Sequence, residues 1–492
     1  MSGPRRETGA IEPFNAKDSR ADVLERSPSA LPTGAWARSA SSARKLEITA
    51  IDRFVLAYTV MSDASITLSA SKPSVLEHKQ ALATVTGFVA VVWFLLLSGW
   101  LGATPGSVMM KRQNVLFNSD TSIWVERMSG DARPSRRLIH PLEVTLWRPP
   151  CRALFHLLTI FLPPDYAAVF AVRLLVAIIA GAGVGFMAFA ALHNGIKLTP
   201  YILLFIMYLL FSTNSTVSLP EHFGVSNGLL SIAFAVPFIV ANARIRTTVL
   251  AALVVLCGGT TITNAVFPFG SLVHFYLKSM RLKLGLLLVA IPAALGASYF
   301  VSTRSWTIHS VFSAGSNLRL LHHPLSAGVY AIYALVCPAV GPTPRVLRVP
   351  GWDMVSYEPA LEPLRLSYYF GVPRHSLHLA FAVGLTWLPA IGAAAWLALL
   401  LISIYRGLKE ERTRFHLWLL LGWLLCQIVF HNFWGDEFML FAPHWSWALM
   451  GLVVLGARDF SRRFIATMFV PIVISQIYTL LAIRSALLTI TR

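Results

Sequence analysis

The stretch Ala81-Leu-Ala-Thr-Val-Thr-Gly-Phe-Val-Ala-Val-Val-Trp-Phe-Leu-Leu-Leu-Ser-Gly-Trp-Leu101 contains no Asp, Glu, Lys or Arg. At about 1.5 Å per residue, a helix of this length covers the roughly 30 Å hydrocarbon core of a bilayer. Comparable runs recur at 174–192, 225–241, 284–302, 379–404, 416–434, 438–457 and 464–483, with a shorter one at 199–212. Composition agrees. Of 492 residues, 55% are hydrophobic and 13% charged, about half the charged share of roughly 25% in soluble domains. Mean hydropathy is +0.63. So few charges cannot coat a soluble particle of this size. A soluble enzyme, a disordered chain and a fibrous protein are excluded. The expected fold is an all-α polytopic membrane protein with about 10–12 transmembrane or re-entrant helices.

Two regions depart from simple spans. Residues 247–277 carry no charge over a length too great for one crossing and too small for two. They contain Cys257-Gly-Gly-Thr and Thr263-Asn-Ala-Val-Phe-Pro-Phe-Gly. Gly and Pro there predict a broken or re-entrant pair, which lipid tolerates only where protein or water covers the open backbone. Residues 1–80 are rich in Ser, Ala, Arg and Pro and have no run of bilayer length. They read as a disordered cytoplasmic tail, followed by a multi-span membrane domain over 81–492. No apolar h-region sits near Met1, so no signal peptide is expected. Glu7, Glu12, Asp18, Asp22 and Glu25 argue against a transit peptide.

Charge then orients the spans. The net charge is +18, from 41 Lys+Arg against 23 Asp+Glu. In a membrane protein such an excess points to cytoplasmic loops and phosphate-bearing lipids rather than to nucleic acid. With the N-terminus cytoplasmic, the clusters Arg244/Arg246, Lys278–Lys283, Arg406–Arg414 and Arg458–Arg463 all fall inside. The outer segments are then 102–165, 213–223, 303–377 and 431–437. The apolar run 325–340 is too short to span comfortably, and an interfacial or dipping helix keeps the topology consistent. The expected location is the plasma (inner) membrane. Cys151, Cys257, Cys337 and Cys426 lie far apart without a CxxC, so no disulfide framework or cysteine metal site is expected. His322-His323 has no further ligand at metal spacing and reads as a surface pair. Gly181-Ala-Gly183-Val-Gly185 contains GxxxG, the pattern of close helix packing. Neither a Walker A motif nor HExxH occurs.

Candidate chemistry gathers on the outer segments. The first carries Asp120, then Arg136, Arg137 and His140 within five positions. Such a cation cluster suits charge developing on a leaving phosphate. A solvated acid and a long loop insensitive to the positive-inside bias are the plain alternatives. Ser218-Leu-Pro-Glu221-His-Phe precedes a span, so Glu221 reads either as a helix N-terminal cap or as a second outer acid. Between two later spans lies His431-Asn-Phe-Trp-Gly-Asp436-Glu437-Phe, followed by Ala442-Pro-His444-Trp. Adjacent acids in a tight turn between spans are costly to place, so Glu437, Asp436 and His444 join the candidates.

This layout resembles the GT-C superfamily, the integral-membrane glycosyltransferases that include protein O-mannosyltransferases and the lipid A aminoarabinose transferase. The resemblance rests on the acid in the first outer loop, the basic His140-Pro stretch after it, and the long outer segment between later spans. Pro220-Glu-His-Phe223, Thr263-Asn264 and Glu437-Phe-Met-Leu-Phe-Ala-Pro-His444 are similar to pieces of bacterial relatives. The resemblance implies transfer of a sugar from a polyprenyl-phosphate donor to an acceptor glycan, lipid or protein on the outer face, with inversion. It implies Asp120 as general base, and Arg136, Arg137 and His140 as phosphate or donor contacts. Glu221, Glu437 and His444 stand as additional candidates. Many members carry paired acids in the first loop, whereas Asp120 here has Glu126 and Asp131 further on. A divalent metal is therefore left open, with no clear ligand set. One carboxylate suffices for such a transfer, because phosphate leaves without a proton. A glycosidase normally needs a carboxylate pair flanking the bond.

Two other classes compete. A polytopic transporter or lipid flippase would use the broken pair at 247–277, but the spans are nearly free of charge and show no evident internal repeat. A non-catalytic membrane scaffold would need none of these residues.

Overall fold

The computed structural model describes residues 75–111, 115–116, 119, 121–130, 140, 142–277, 331–341, 344–349, 352–356, 387–433 and 438–491. The expected tail over 1–80 falls outside these residues except for its last six, which open the first helix, α1 (Val75–Trp100). Short amphipathic helices follow in the first loop, α2 (Thr121–Ser129) and α3 (Glu143–Leu158). Next come α4 (Pro164–His193), α5 (Leu198–Leu209), α6 (His222–Ile239) and α7 (Ala243–Thr260). After a 3-10 turn at Ile262–Ala265 comes α8 (Val266–Tyr276). The second half holds α9 (Trp387–Lys409), α10 (Glu411–Phe433), α11 (Pro443–Gly456) and α12 (Arg462–Thr491).

The protein is a multi-pass helical membrane protein. Among the described residues six helices are long and apolar enough to cross a bilayer: α1, α4, α6, α7, α9 and α12. The expected count of about 10–12 also takes in shorter or re-entrant helices and a candidate outside the described residues. The run at 199–212 makes only a 12-residue helix, α5. The run at 438–457 breaks into a single turn, Phe438–Phe441, and the 14-residue α11. The run at 416–434 makes α10, 23 residues long but less apolar. The candidate at 284–302 lies outside the described residues. One element departs from an all-helical fold. An antiparallel hairpin, β1 (Arg345–Val349) with β2 (Trp352–Ser356), pairs Arg345 with Ser356 and Val349 with Trp352. Val355 of β2 donates its N–H to the Val115 carbonyl at 2.8 Å, which ties the hairpin to the first loop.

The expected break in 247–277 is present. Helix α7 ends at Thr260, and Thr261 is extended (φ −147°, ψ 120°) before the chain turns back into α8. The 11 residues of α8 extend only about 16 Å, roughly half the bilayer core. The described end of the 325–340 run, residues 331–340, packs into the bundle. Ala334, Cys337, Ala339 and Val340 are buried in the bundle, and the indoles of Trp445 and Trp396 donate to the carbonyls of Ala334 and Leu335 at 2.9 Å.

Packing is organised on α4. Alternate glycines serve two partners. A Cβ on Gly181 would lie 2.9 Å from the Gly87 carbonyl of α1, and one on Gly185 would lie 3.1 Å from Gly87 Cα. Gly183 faces the other way, where a Cβ would lie 2.6 Å from Gly228 of α6. The GxxxG pattern thus does what its spacing predicts, and the middle glycine adds a second close crossing. In lipid, helices associate through such backbone proximity and dispersion rather than through hydrophobic exclusion. Helix α11 is buried along its whole length. It meets α9 where a Cβ on Gly456 would lie 2.0 Å from the Ser403 carbonyl.

The two ends of the bundle differ in charge. At one end Arg458 pairs with Glu410 at 3.0 Å, Arg406 lies over the Phe460 ring, Arg246 lies over Phe275, and His274 stacks on Phe415 at 3.3 Å. Three of the four basic clusters grouped by the topology therefore converge at this basic end. The fourth, Lys278–Lys283, lies outside the described residues. Overpacking a tight contact costs about 1–3 kcal/mol. Gly183→Val should therefore lower the thermal midpoint of the detergent-purified protein by several degrees, whereas Gly422→Ala, with nothing within 4 Å of the new methyl, should leave it unchanged or slightly raised. Equal midpoints for the two variants would contradict the α4–α6 crossing.

Candidate functional site

The end opposite the basic one is polar and buried. Three elements build it: the start of α6, the break after α7, and the start of α11. Short segments of the first loop lie against them. Glu221 precedes α6 and is a buried carboxylate, 1% exposed. Its backbone is extended (φ −142°, ψ 166°) and its side chain makes no cap hydrogen bond. Glu221 thus stands at the cap position of α6 without a side-chain cap bond. Instead, Glu221 Oε1 accepts from the Thr121 hydroxyl at 3.3 Å, and the Thr121 and Ser119 hydroxyl oxygens also lie 3.3 Å apart. A carboxylate near a helix N-terminus is favoured by the partial positive charge there.

His140 sits where α7 stops. Its Nδ1 lies 2.8 Å from the Thr260 carbonyl. A carbonyl only accepts, so Nδ1 carries the proton and Nε2 is the basic nitrogen. The Leu142 N–H caps the neighbouring Gly259 carbonyl at 2.9 Å, and Trp147 Nε1 donates to the Thr260 hydroxyl. The first loop thus satisfies the exposed end of the broken helix. Two basic residues of that loop serve likewise at the end of α2. Arg148 donates to the Arg127 carbonyl at 2.6 Å and Arg152 to the Gly130 carbonyl at 2.9 Å.

Four imidazoles form a row. The ring centroids of His140 and His222 are 4.1 Å apart, those of His222 and His444 6.5 Å, and those of His444 and His431 6.4 Å. His444 is 3% exposed. The Asn264 amide donates to its Nδ1 at 3.1 Å, while its carbonyl accepts from the indoles of Trp423 and Trp447. His431 Nε2 bonds Gln427 Oε1 at 3.2 Å. Phe223 packs against His222 and His444, and Trp124 lies 6.4 Å from His222. Among the described residues, no three His, Cys, Asp or Glu side chains are grouped to hold a metal ion. The arrangement offers a buried carboxylate, basic imidazole nitrogens and amide groups. Together these can take a proton from a hydroxyl and hold its neighbours.

Of the residues singled out in the sequence, the structure brings His140, Glu221 and His444 into this one region. Asp120, Arg136, Arg137, Asp436 and Glu437 lie outside the described residues. The chain neighbour of Asp120 is Thr121, which bonds Glu221, and Glu437 lies two residues before Met439, whose carbonyl accepts from Thr216 at 3.2 Å. His222, Asn264, His431, Gln427 and Thr121 complete the site. His222, Asn264 and His431 stand inside quoted motifs. Gln427 and Thr121 carry no local signal, because their role comes from a partner distant in sequence.

Comparison with protein-family models, with curated proteins and with solved structures finds no match to this chain. The site therefore stands on its own geometry. Removing one partner of a buried hydrogen bond costs about 1–3 kcal/mol. His140→Leu, which orphans the Thr260 carbonyl, should lower thermal stability by that amount. His140→Asn, whose amide reaches the same distance from the backbone as Nδ1, should retain most of it. Equal losses in the two variants, measured by thermal unfolding, would show that His140 does not cap α7.

Proposed function

We propose that the chain is a membrane glycosyltransferase of GT-C type, moving a sugar from a polyprenyl-phosphate donor to an acceptor hydroxyl at the end of the bundle opposite the basic one. The observation that carries this reading is Glu221. It is a buried carboxylate hydrogen-bonded to Thr121, the residue after Asp120, beside His140 and His222. This acid is buried at a helix start and bonded to Thr121. It suits a group that must accept a proton in a place shielded from water.

The reaction asks little else of the protein. The acceptor oxygen forms a bond to the anomeric carbon as the bond to the donor phosphate breaks. The hydroxyl proton goes to a carboxylate, and polyprenyl phosphate leaves as an anion. Asp120 is the proposed base and Glu221 the next candidate. Arg136, Arg137 and His140 are the proposed phosphate contacts, because a leaving phosphate is stabilised by cations and donors already in position. Under the positive-inside rule the basic end faces the cytoplasm. The site then opens to the outer side, where polyprenyl-linked sugars are consumed, and the N-terminus is cytoplasmic.

A second reading has its own observation. The break at Thr261–Asn264 reaches the same histidine row, and interrupted helices near a polar site are a feature of transporters. A lipid or solute carrier would move its cargo without chemical change.

The discriminating assay is release of polyprenyl phosphate by purified protein from a panel of polyprenyl-phosphate sugars with generic acceptors. Asp120→Asn should reduce release by about 10²–10⁴-fold, the usual share of a general base, with expression unchanged. Full activity in Asp120→Asn together with its loss in Glu221→Gln would move the base to Glu221. No release by wild type, with uptake of unaltered cargo into proteoliposomes, would favour transport.

A further inference from the structure

The basic end of the bundle holds a cavity of about 460 Å³, within the roughly 300–1,000 Å³ range of small-ligand sites. Its floor is Leu455 and Gly456, buried at the end of α11. Three cations line it: Arg406 and Lys409 from the last turn of α9, and Arg458 from the turn after α11. Two acids line it as well, Glu410 and Asp459. Glu410 is already engaged with Arg458 at 3.0 Å. That pair leaves two cations and one carboxylate to meet a ligand.

The fold does not need those two cations as caps. A basic residue in the last turn of a helix commonly serves the terminal carbonyls. Here α10 serves those of α9. Arg414 Nε donates to the Leu408 carbonyl at 2.9 Å, and the Thr413 hydroxyl donates to the Gly407 carbonyl at 3.1 Å. Arg406 lies instead over the Phe460 ring at 4.8 Å, and Lys409 over the Tyr405 ring at 4.2 Å. A ring face steadies a cation but supplies no acceptor oxygen. Among the described residues, neither side chain pairs with an acid.

The surroundings identify the class of anion. Leu401, Tyr405 and Lys409 stand four residues apart and so share one stripe of α9. Leu401 and Tyr405 are exposed, and α9 is long and apolar enough to cross the bilayer. An exposed apolar stripe therefore leads from the hydrocarbon to a cationic wall of the cavity. A soluble phosphate would use only the second of these. A phospholipid uses both, with its acyl chains on the stripe and its phosphate at the cations. The loops 406–414 and 458–463 together carry seven basic residues against three acids, which favours a headgroup of net negative charge. Under the positive-inside rule this end meets the cytoplasmic leaflet, where anionic lipids collect. A glycerol headgroup also brings hydroxyl donors for the Asp459 carboxylate, which a choline headgroup lacks.

We infer that this cavity binds the headgroup of an anionic phospholipid. Arg406 and Lys409 take the phosphate, Asp459 faces the headgroup hydroxyls, and the acyl chains lie along the Leu401–Tyr405 stripe. The bound lipid ties the end of α9 to the turn between α11 and α12, beside the close approach of Gly456 to Ser403. The site lies at the end of the bundle away from the histidine row and is independent of the proposed transfer reaction.

The test uses the full-length protein purified in a neutral detergent and titrated with dioleoyl phosphatidylglycerol, dioleoyl phosphatidylcholine or glycerol phosphate. Bound lipid is counted by native mass spectrometry, and thermal midpoints are taken alongside. Phosphatidylglycerol should bind saturably, about tenfold tighter than phosphatidylcholine, and should raise the midpoint. Arg406→Gln and Lys409→Gln should each weaken its binding about fivefold, the worth of one cation beside an anionic lipid. Arg244→Gln removes a basic-end charge outside the cavity and should leave binding little changed. All three side chains are exposed, so the midpoints without lipid should stay within a few degrees of wild type. Equal affinity for the two lipids would overturn the inference. So would a loss in Arg244→Gln as large as in the cavity variants, which would reduce the effect to general surface charge. Displacement of phosphatidylglycerol by equimolar glycerol phosphate would overturn it in favour of a soluble phosphate. A large fall in both cavity-variant midpoints without lipid would overturn it by making the two cations structural.

Discussion

Everything at the polar end depends on how closely α4 lets its neighbours approach. A bilayer supplies no hydrophobic drive between two apolar helices, so helices adhere only where their backbones can come near. Gly181 and Gly185 admit α1 through Gly87, and Gly183 admits α6 through Gly228. With α6 held in this way, its N-terminus delivers Glu221 and His222 to the polar end. Any side chain at Gly183 or Gly228 would push α6 outward and carry that carboxylate away from Thr121. The functional end is therefore set by a contact deep in the bundle that holds no polar side chain.

The second constraint is the open backbone. In hydrocarbon every N–H and C=O must find a partner within the protein. Among the described residues, two helix ends near the polar end are closed by side chains distant in sequence. At the end of α7, His140, Leu142 and Trp147 meet the Gly259–Thr260 region. At the end of the buried 331–341 segment, the Ala339 carbonyl accepts from Ser212 and Gln476, and Gly341 is held by Ser212 and Thr479. These closures gather polar side chains where the spans would otherwise be uniformly apolar. A membrane protein that interrupts its helices obtains a polar interior as a consequence, and here the histidine row lies beside the first interruption.

The same economy of charge separates the two ends. Arg246, Arg406 and Arg458 rest on aromatic rings or an acid at the basic end. At the opposite end two of the described basic residues, Arg148 and Arg152, are engaged with backbone carbonyls. In the first loop, part of the positive charge thus has a structural task at the end of α2. The cations proposed for a donor phosphate are Arg136 and Arg137, close in sequence to the His140 cap.

The sequence by itself determined the class of protein, the positions of most long helices, the glycine crossing and the break near Thr261. Each follows from a local property: uncharged length against bilayer thickness, small residues at helical spacing, Gly and Pro in an apolar run. It also placed Glu221, His140 and His444 on one side, because loop charge reports topology. Only the tertiary structure decided what those residues do. Glu221 reads locally as a cap, and nothing local says that its carboxylate turns to Thr121, 100 residues earlier. His140 reads as a phosphate contact, yet it closes a helix end 120 residues later. Gln427 and Trp124 are ordinary residues of apolar segments until the fold buries their amide and indole groups among imidazoles. The hairpin at 345–356 and the complete burial of α11 were equally hidden, since both depend on which surfaces meet. Hydrophobic length and charge are read one segment at a time, whereas hydrogen-bond partners across the bundle are set by the approach of helices, which no single segment encodes.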